Sequence, residues 1–108
     1  MKTRHLEIDF AGIKQPSEMH ILLKDIFGFP EFYGSNVHAL IDCLSSLRYP
    51  KDGMTKVTIE VNEILLIRIK NISKTSESVI THFIIAIESA NSRQIRIGNS
   101  PSIHLSLE

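Results

Sequence analysis

The chain has 108 residues, 43% of them hydrophobic and 22% charged, which fits one globular domain with an ordinary core and excludes a multidomain enzyme. Twelve basic residues balance twelve acidic ones, so the whole-molecule field is not that of a protein that coats nucleic acid or an anionic membrane. The single cysteine, Cys43, can form no internal disulfide and suits a reducing cytoplasm.

Residues 5–10 alternate, with Leu6, Ile8 and Phe10 on one side and Glu7 and Asp9 on the other, the pattern of a half-buried strand ended by Gly12. The basic start Met1–His5 runs straight into these acids and lacks the apolar stretch of a secretion signal. Pro16 suits a first helical turn, and Met19, Leu22, Leu23, Ile26 and Phe27 keep one helical face up to Gly28. Residues 29–35 contain Pro30 and Gly34 and read as a loop, an unusual one because it carries Phe29, Phe32 and Tyr33. Asn36 is placed to cap a second helix with Val37, Leu40, Ile41, Leu44 and Leu47 on its apolar face, broken by Pro50 and Asp52-Gly53.

Val57, Ile59 and Val61 alternate with Thr58, Glu60 and Asn62, so an extra strand or hairpin is expected around residues 56–62. The continuous run Ile64–Ile67 predicts a central strand covered on both faces. Ser73 or Ser76 can cap a third helix built on Val79, Ile80, Phe83, Ile84 and Ile87, while residues 89–98 are ambiguous. Pro101 opens a last strand in which Ile103, Leu105 and Leu107 alternate with polar residues. The longest apolar runs, 64–67 and 83–87, fall far short of the roughly 20 residues a membrane span needs. The order predicts an α/β fold: a small layered domain spanning residues 1–108, with a mainly parallel central sheet packed by about three helices.

Chemistry narrows the function. Glycines are scattered at 12, 28, 34, 53 and 98, so no phosphate-cradling loop exists and no nucleotide cofactor is expected. Cys43 flanks the apolar stripe of its helix and reads as a core hydrophobe rather than a nucleophile served by His38 or His82. His38 and Asp42 share a helix face, but two ligands make no metal site, and His5, His20, His82 and His104 stand alone. Two distant histidines can in principle serve as acid and base in RNA cleavage. No lysine or arginine cluster stands beside them to stabilise the transition state, so an enzyme is not expected. What remains is the polar face of Ser35, His38, Asp42 and Ser45 next to Phe32 and Tyr33. Aromatic anchors beside one fixed acid are the ingredients of a protein interface; the same small side chains equally suit an ordinary solvated face.

Residues 29–44, Phe-Pro-Glu-Phe-Tyr-Gly-Ser-Asn-Val-His-Ala-Leu-Ile-Asp-Cys-Leu, resemble the barstar family of intracellular ribonuclease inhibitors. The order of elements is similar to that family's three-stranded parallel sheet with helices along the whole chain, while Asp52-Gly53-Met54-Thr55 and the strand-like segment after it depart from it. The resemblance implies a binding protein whose second helix and preceding loop plug a ribonuclease active site, with a carboxylate in the place of the substrate phosphate. Asp42 matches the central acid of that helix and is expected to reach the catalytic basic residues of the nuclease. Phe32 and Tyr33 match the aromatic pair, Gly34 and Asn36 the following turn, and Ile41 a position that is tryptophan in the family. Ser35, His38, Ala39 and Ser45 complete the expected partner-binding set.

Two departures stand out. His38 occupies the place of a second acid, and Ile84-Ile85-Ala86 lies where a further interface acid is expected. With zero net charge these imply weaker steering and a partner other than the family's usual one. The expected role is a cytoplasmic immunity protein that neutralises a ribonuclease toxin, monomeric when free and heterodimeric with the toxin, with no nucleic-acid or membrane partner. A partner-facing His38 would make binding depend on pH. The alternative is a barstar-fold protein that binds a non-nuclease partner or meets a toxin through another surface.

Overall fold

A computed structural model describes all residues 1–108. Strand β1 (Lys2–Asp9) is followed by helices α1 (Pro16–Phe27) and α2 (Val37–Leu44), strand β2 (Glu63–Lys70), helix α3 (Glu77–Arg96) and strand β3 (Ile103–Leu107). Single 3-10 turns at Pro50–Asp52 and Ile72–Lys74 punctuate the connections. The three strands form one parallel sheet in the order β1-β2-β3.

Register explains the layering. Leu6 and Ile8 of β1 lie beside Ile67 and Ile69 of β2, and Leu65 and Ile67 lie beside Ile103 and Leu105 of β3. Because side chains alternate along a strand, these residues share one face, and the buried ones join α1, α2 and α3 in a core of 22 residues. The opposite face is wet. There Glu7 meets Arg68 at 3.6 Å and Lys70 at 3.4 Å, and Arg68 meets Glu108 at 2.8 Å. Strand β2 is thus central, as its apolar run predicts, but only one of its faces is covered: Ile64 and Leu66 are half-buried among charged neighbours. Strand β1 also starts earlier than its alternation indicates, since Lys2, Thr3 and Arg4 gain parallel partners in β2.

The helices follow their apolar stripes. In α1, Met19, Leu23 and Phe27 repeat every four residues and are buried. Glu18 closes its start by accepting from the backbone N–H of Gln15 at 3.0 Å, which satisfies a donor that has no partner within the helix. Gly28 ends it in the left-handed region at φ 72°. A side chain there would also strike Lys56, since a Cβ would lie 2.7 Å from the Lys56 Cβ, so glycine is required twice over. Asn36 caps α2 by accepting from Ala39 N–H at 2.8 Å, and Ser76 caps α3 by accepting from Val79 N–H at 3.2 Å. Helix α3 continues through the ambiguous stretch to Arg96, with Ala86, Ala90 and Gln94 buried. The small alanines leave room for close packing against its neighbours.

No strand or hairpin forms at residues 56–62. Of the apolar stripe predicted there only Ile59 is buried, while Val57 and Thr58 are both half-buried and Val61 is exposed, and the backbone partners belong to helix ends rather than a sheet edge. Lys56 and Val57 N–H both donate to Phe27 C=O, and Ile59 N–H donates to Leu47 C=O at 2.8 Å. The segment is a strap that satisfies carbonyls left open where α1 and the turn after α2 terminate. No helix is long and apolar enough to cross a membrane.

Candidate partner-binding face

The loop between α1 and α2 is built on a stack of rings. Phe29 lies nearly parallel to Phe27 at 5.3 Å between centroids, and Tyr33 leans on Phe29 at 4.8 Å. A turn closed by Tyr33 N–H donating to Pro30 C=O at 2.9 Å sends Phe32 outward, 76% exposed, and Tyr33 inward, 8% exposed. The Tyr33 hydroxyl lies 2.6 Å from His20 Nδ1 on α1, so the phenol is buried without losing a hydrogen bond. Tyr33 therefore does not stand out as a partner anchor; it reaches only the floor of a cleft. Ile41 is likewise a core side chain, on the apolar stripe of α2 where its spacing places it.

After the rings the chain reverses. Ser35 takes a left-handed conformation at φ 51°, and Asn36 donates from Nδ2 to Gly34 C=O at 3.2 Å while capping α2. These local bonds fix Gly34, Ser35 and Asn36 as an exposed, ordered rim. His38 and Asp42 both face solvent from α2, with Ala39 half-buried between them. Phe32, Gly34, Asn36, Ala39 and Asp42 surround a cleft of about 340 Å³ whose floor includes Tyr33, Cys43 and Met54. The structure thus brings Phe32, Gly34, Asn36, Ala39 and Asp42 together, while Ser45 falls on the other side of Asp42.

Asp42 does not pair with His38. Its Oδ1 accepts from Arg93 Nη1 of α3 at 2.8 Å, and the same Nη1 reaches Ser45 Oγ at 3.3 Å. Ser45 is held in turn by donating to Ile41 C=O at 2.6 Å. A second, wider cleft of about 590 Å³ opens on this side, walled by Tyr49, Met54, Arg93 and Ile97, with Asp42 shared between the two clefts. Arg93 lies 51 residues from Asp42 in the chain and no local pattern links them; only the packing of α2 on α3 creates the pair.

The site contains little chemistry of its own. Cys43 is buried, and burial together with the neighbouring Asp42 charge pushes its thiol up to about 11, which leaves the thiolate scarce at neutral pH. No three His, Cys, Asp or Glu side chains gather at metal-binding range. What the face offers is shape and charge: a protruding ring, a fixed rim, and a carboxylate between two clefts.

A search of curated proteins returns no match. A family model described as Barstar (barnase inhibitor) matches residues 3–96, from β1 to the last residue of α3. That span contains both helices of the candidate face and two of the three strands, and the chain belongs to the barstar family.

Proposed function

We propose that this chain is an immunity protein that binds a ribonuclease toxin and occludes its active site, acting as a single barstar-like domain in the cytoplasm of the cell it protects. The observation that carries the reading is the position of Asp42, exposed between two clefts and beside the ordered rim of Phe32, Gly34 and Asn36. RNA is bound through phosphates by basic groups, so a carboxylate presented on a preformed face competes for the same cations. Preorganisation matters because ordering side chains at an interface costs about 0.5–1.5 kcal/mol each. Here the rim is already tied down by the Asn36 bonds, and the ring stack already holds the loop that presents Phe32.

The test is co-purification of the chain with a candidate ribonuclease toxin domain from the same genome, followed by titration of RNA cleavage. Wild type is expected to abolish cleavage at one-to-one stoichiometry. Asp42→Ala should weaken binding by about 2–5 kcal/mol, or thirtyfold and upward, a range itself drawn in part from the barnase–barstar interface. If Asp42→Ala binds and protects like wild type, the nuclease site is not the target. Binding without inhibition of cleavage would instead indicate a different toxin surface.

A further inference from the structure

Resting on that reading, we infer that Arg93 is a specificity-determining residue: with Asp42 it forms a two-charge element that selects a nuclease presenting a cation and a carboxylate side by side. Arg93 makes all its hydrogen bonds within the chain through Nη1, to Asp42 Oδ1 and Ser45 Oγ. Its Nε and Nη2 have no partner, and Asp42 Oδ2 accepts from none. The two side chains are about half exposed, 47% for Arg93 and 57% for Asp42. The pair therefore offers a partner one open carboxylate oxygen and two open guanidinium nitrogens.

Those open atoms define their complement. Asp42 Oδ2 can take a cation from the partner while Oδ1 keeps Arg93, so the internal pair need not break. The planar guanidinium fork is suited to a carboxylate, which it can hold through two parallel bonds. No acid of this chain fills that place: Asp52 lines the same cleft, but its carboxylate accepts from Ser46 Oγ at 3.1 Å and forms no pair with Arg93. Met54 and Ile97 supply apolar walls beside the two charges, where exclusion of water strengthens correct pairings and penalises wrong ones. A cleft lined only by cations would gain Asp42 and meet Arg93 as a like charge, and such juxtaposition acts against the wrong partner. The zero net charge of the chain fits the same division of labour.

Titration calorimetry against two probes tests this: the co-purified ribonuclease, and barnase, whose RNA-binding cleft must be basic to hold phosphates. Arg93→Ala is expected to weaken binding to the co-purified enzyme at least tenfold. Arg93→Lys should recover only part of that loss, because an ammonium cannot form the fork. Toward barnase the sign reverses, with Arg93→Ala binding at least tenfold tighter than wild type. The inference is overturned if Arg93→Ala binds the co-purified enzyme as well as wild type or better, which would make Arg93 only an internal cap on Asp42. It is equally overturned if removing Arg93 leaves the response to barnase unchanged. Loss with Asp42→Ala but not with Arg93→Ala sinks this inference and leaves the inhibitor reading standing; no loss with Asp42→Ala sinks the inhibitor reading itself.

Discussion

His20 and Tyr33 meet in the core directly beneath the loop that presents Phe32, with 2.6 Å between Nδ1 and the hydroxyl. Burial, and secondarily the charge on His82 of α3, lower the His20 pKa below its ordinary 6.5. Burial, and secondarily Cys43, raise that of Tyr33. Both groups are thus held neutral and share one hydrogen bond between the ring nitrogen and the phenol. In the unfolded chain His20 takes up a proton near pH 6.5, whereas in the folded chain it does so only at lower pH. Between those values the unfolded state binds more protons, so stability is fully present above about 6.5 and is lost as pH falls through the window. Urea unfolding at pH 7 and pH 5.5 should show that loss in wild type and a smaller one in His20→Gln; an equal loss in both would place the acid sensitivity elsewhere. At pH 7, Tyr33→Phe should cost about 1–3 kcal/mol by leaving a buried ring nitrogen unsatisfied. In the sequence His20 is a lone histidine and Tyr33 one of two adjacent aromatics. Which of Phe32 and Tyr33 turns inward depends on the Pro30 turn and on a partner thirteen residues away, neither of which a local pattern displays.

Helices are the elements that the sequence states most openly, because a stripe, a cap and a stop are all local. The α1 stripe, the Asn36 and Ser76 caps and the Gly28 stop appear in the structure where their chemistry places them. Strand-like segments are less legible, since an alternating sequence fixes neither the burial nor the hydrogen-bond partners of the backbone. That is why the 56–62 strap reads as a strand, and why the wet face of β2 is invisible in an apolar run. Least legible is Arg48, just beyond α2, which resembles any surface arginine in sequence yet is only 6% exposed. Its guanidinium donates to Ser100 C=O at 2.6 Å, Glu63 C=O at 2.9 Å and Gln94 Oε1 at 3.2 Å. It thereby ties the end of α2 to the start of β2, to α3 and to the approach to β3. No carboxylate accompanies it, and its Nε has no partner, so neutral acceptors, carbonyls and the Ser100 hydroxyl, compensate a charge that burial disfavours. Arg48→Met should destabilise the fold by about 3 kcal/mol or more, because several buried carbonyls lose a charged donor at once. Arg48→Lys should rescue less than half, since an ammonium cannot span all three elements. A urea midpoint shift equivalent to under about 1 kcal/mol for Arg48→Met would show that the clamp is dispensable.

At the scale of the whole molecule, positive and negative charges balance, and several of them are held in pairs. On the wet side of the sheet Glu7 is shared by Arg68 and Lys70, and Arg68 also holds Glu108. On the candidate face Asp42 is matched by Arg93. Twelve basic and twelve acidic residues leave no net charge, so the molecule as a whole has no monopole with which to draw in a partner from beyond a Debye length, about 10 Å at 0.1 M salt. Association is then expected in the unsteered range of about 10⁵–10⁶ M⁻¹s⁻¹ rather than the 10⁸ or more reached by oppositely charged proteins. Stopped-flow mixing with the co-purified ribonuclease should show an association rate that changes less than about threefold between 50 and 500 mM salt, because only long-range attraction is screened. The double variant Lys51→Glu with Lys56→Glu converts two exposed cations to anions and should speed association with a basic nuclease at low salt while introducing a steep salt dependence. A wild-type rate that falls tenfold or more over the same salt range would mean that the charges of the face act together as a field, and that the Asp42–Arg93 pair does not cancel as its geometry implies.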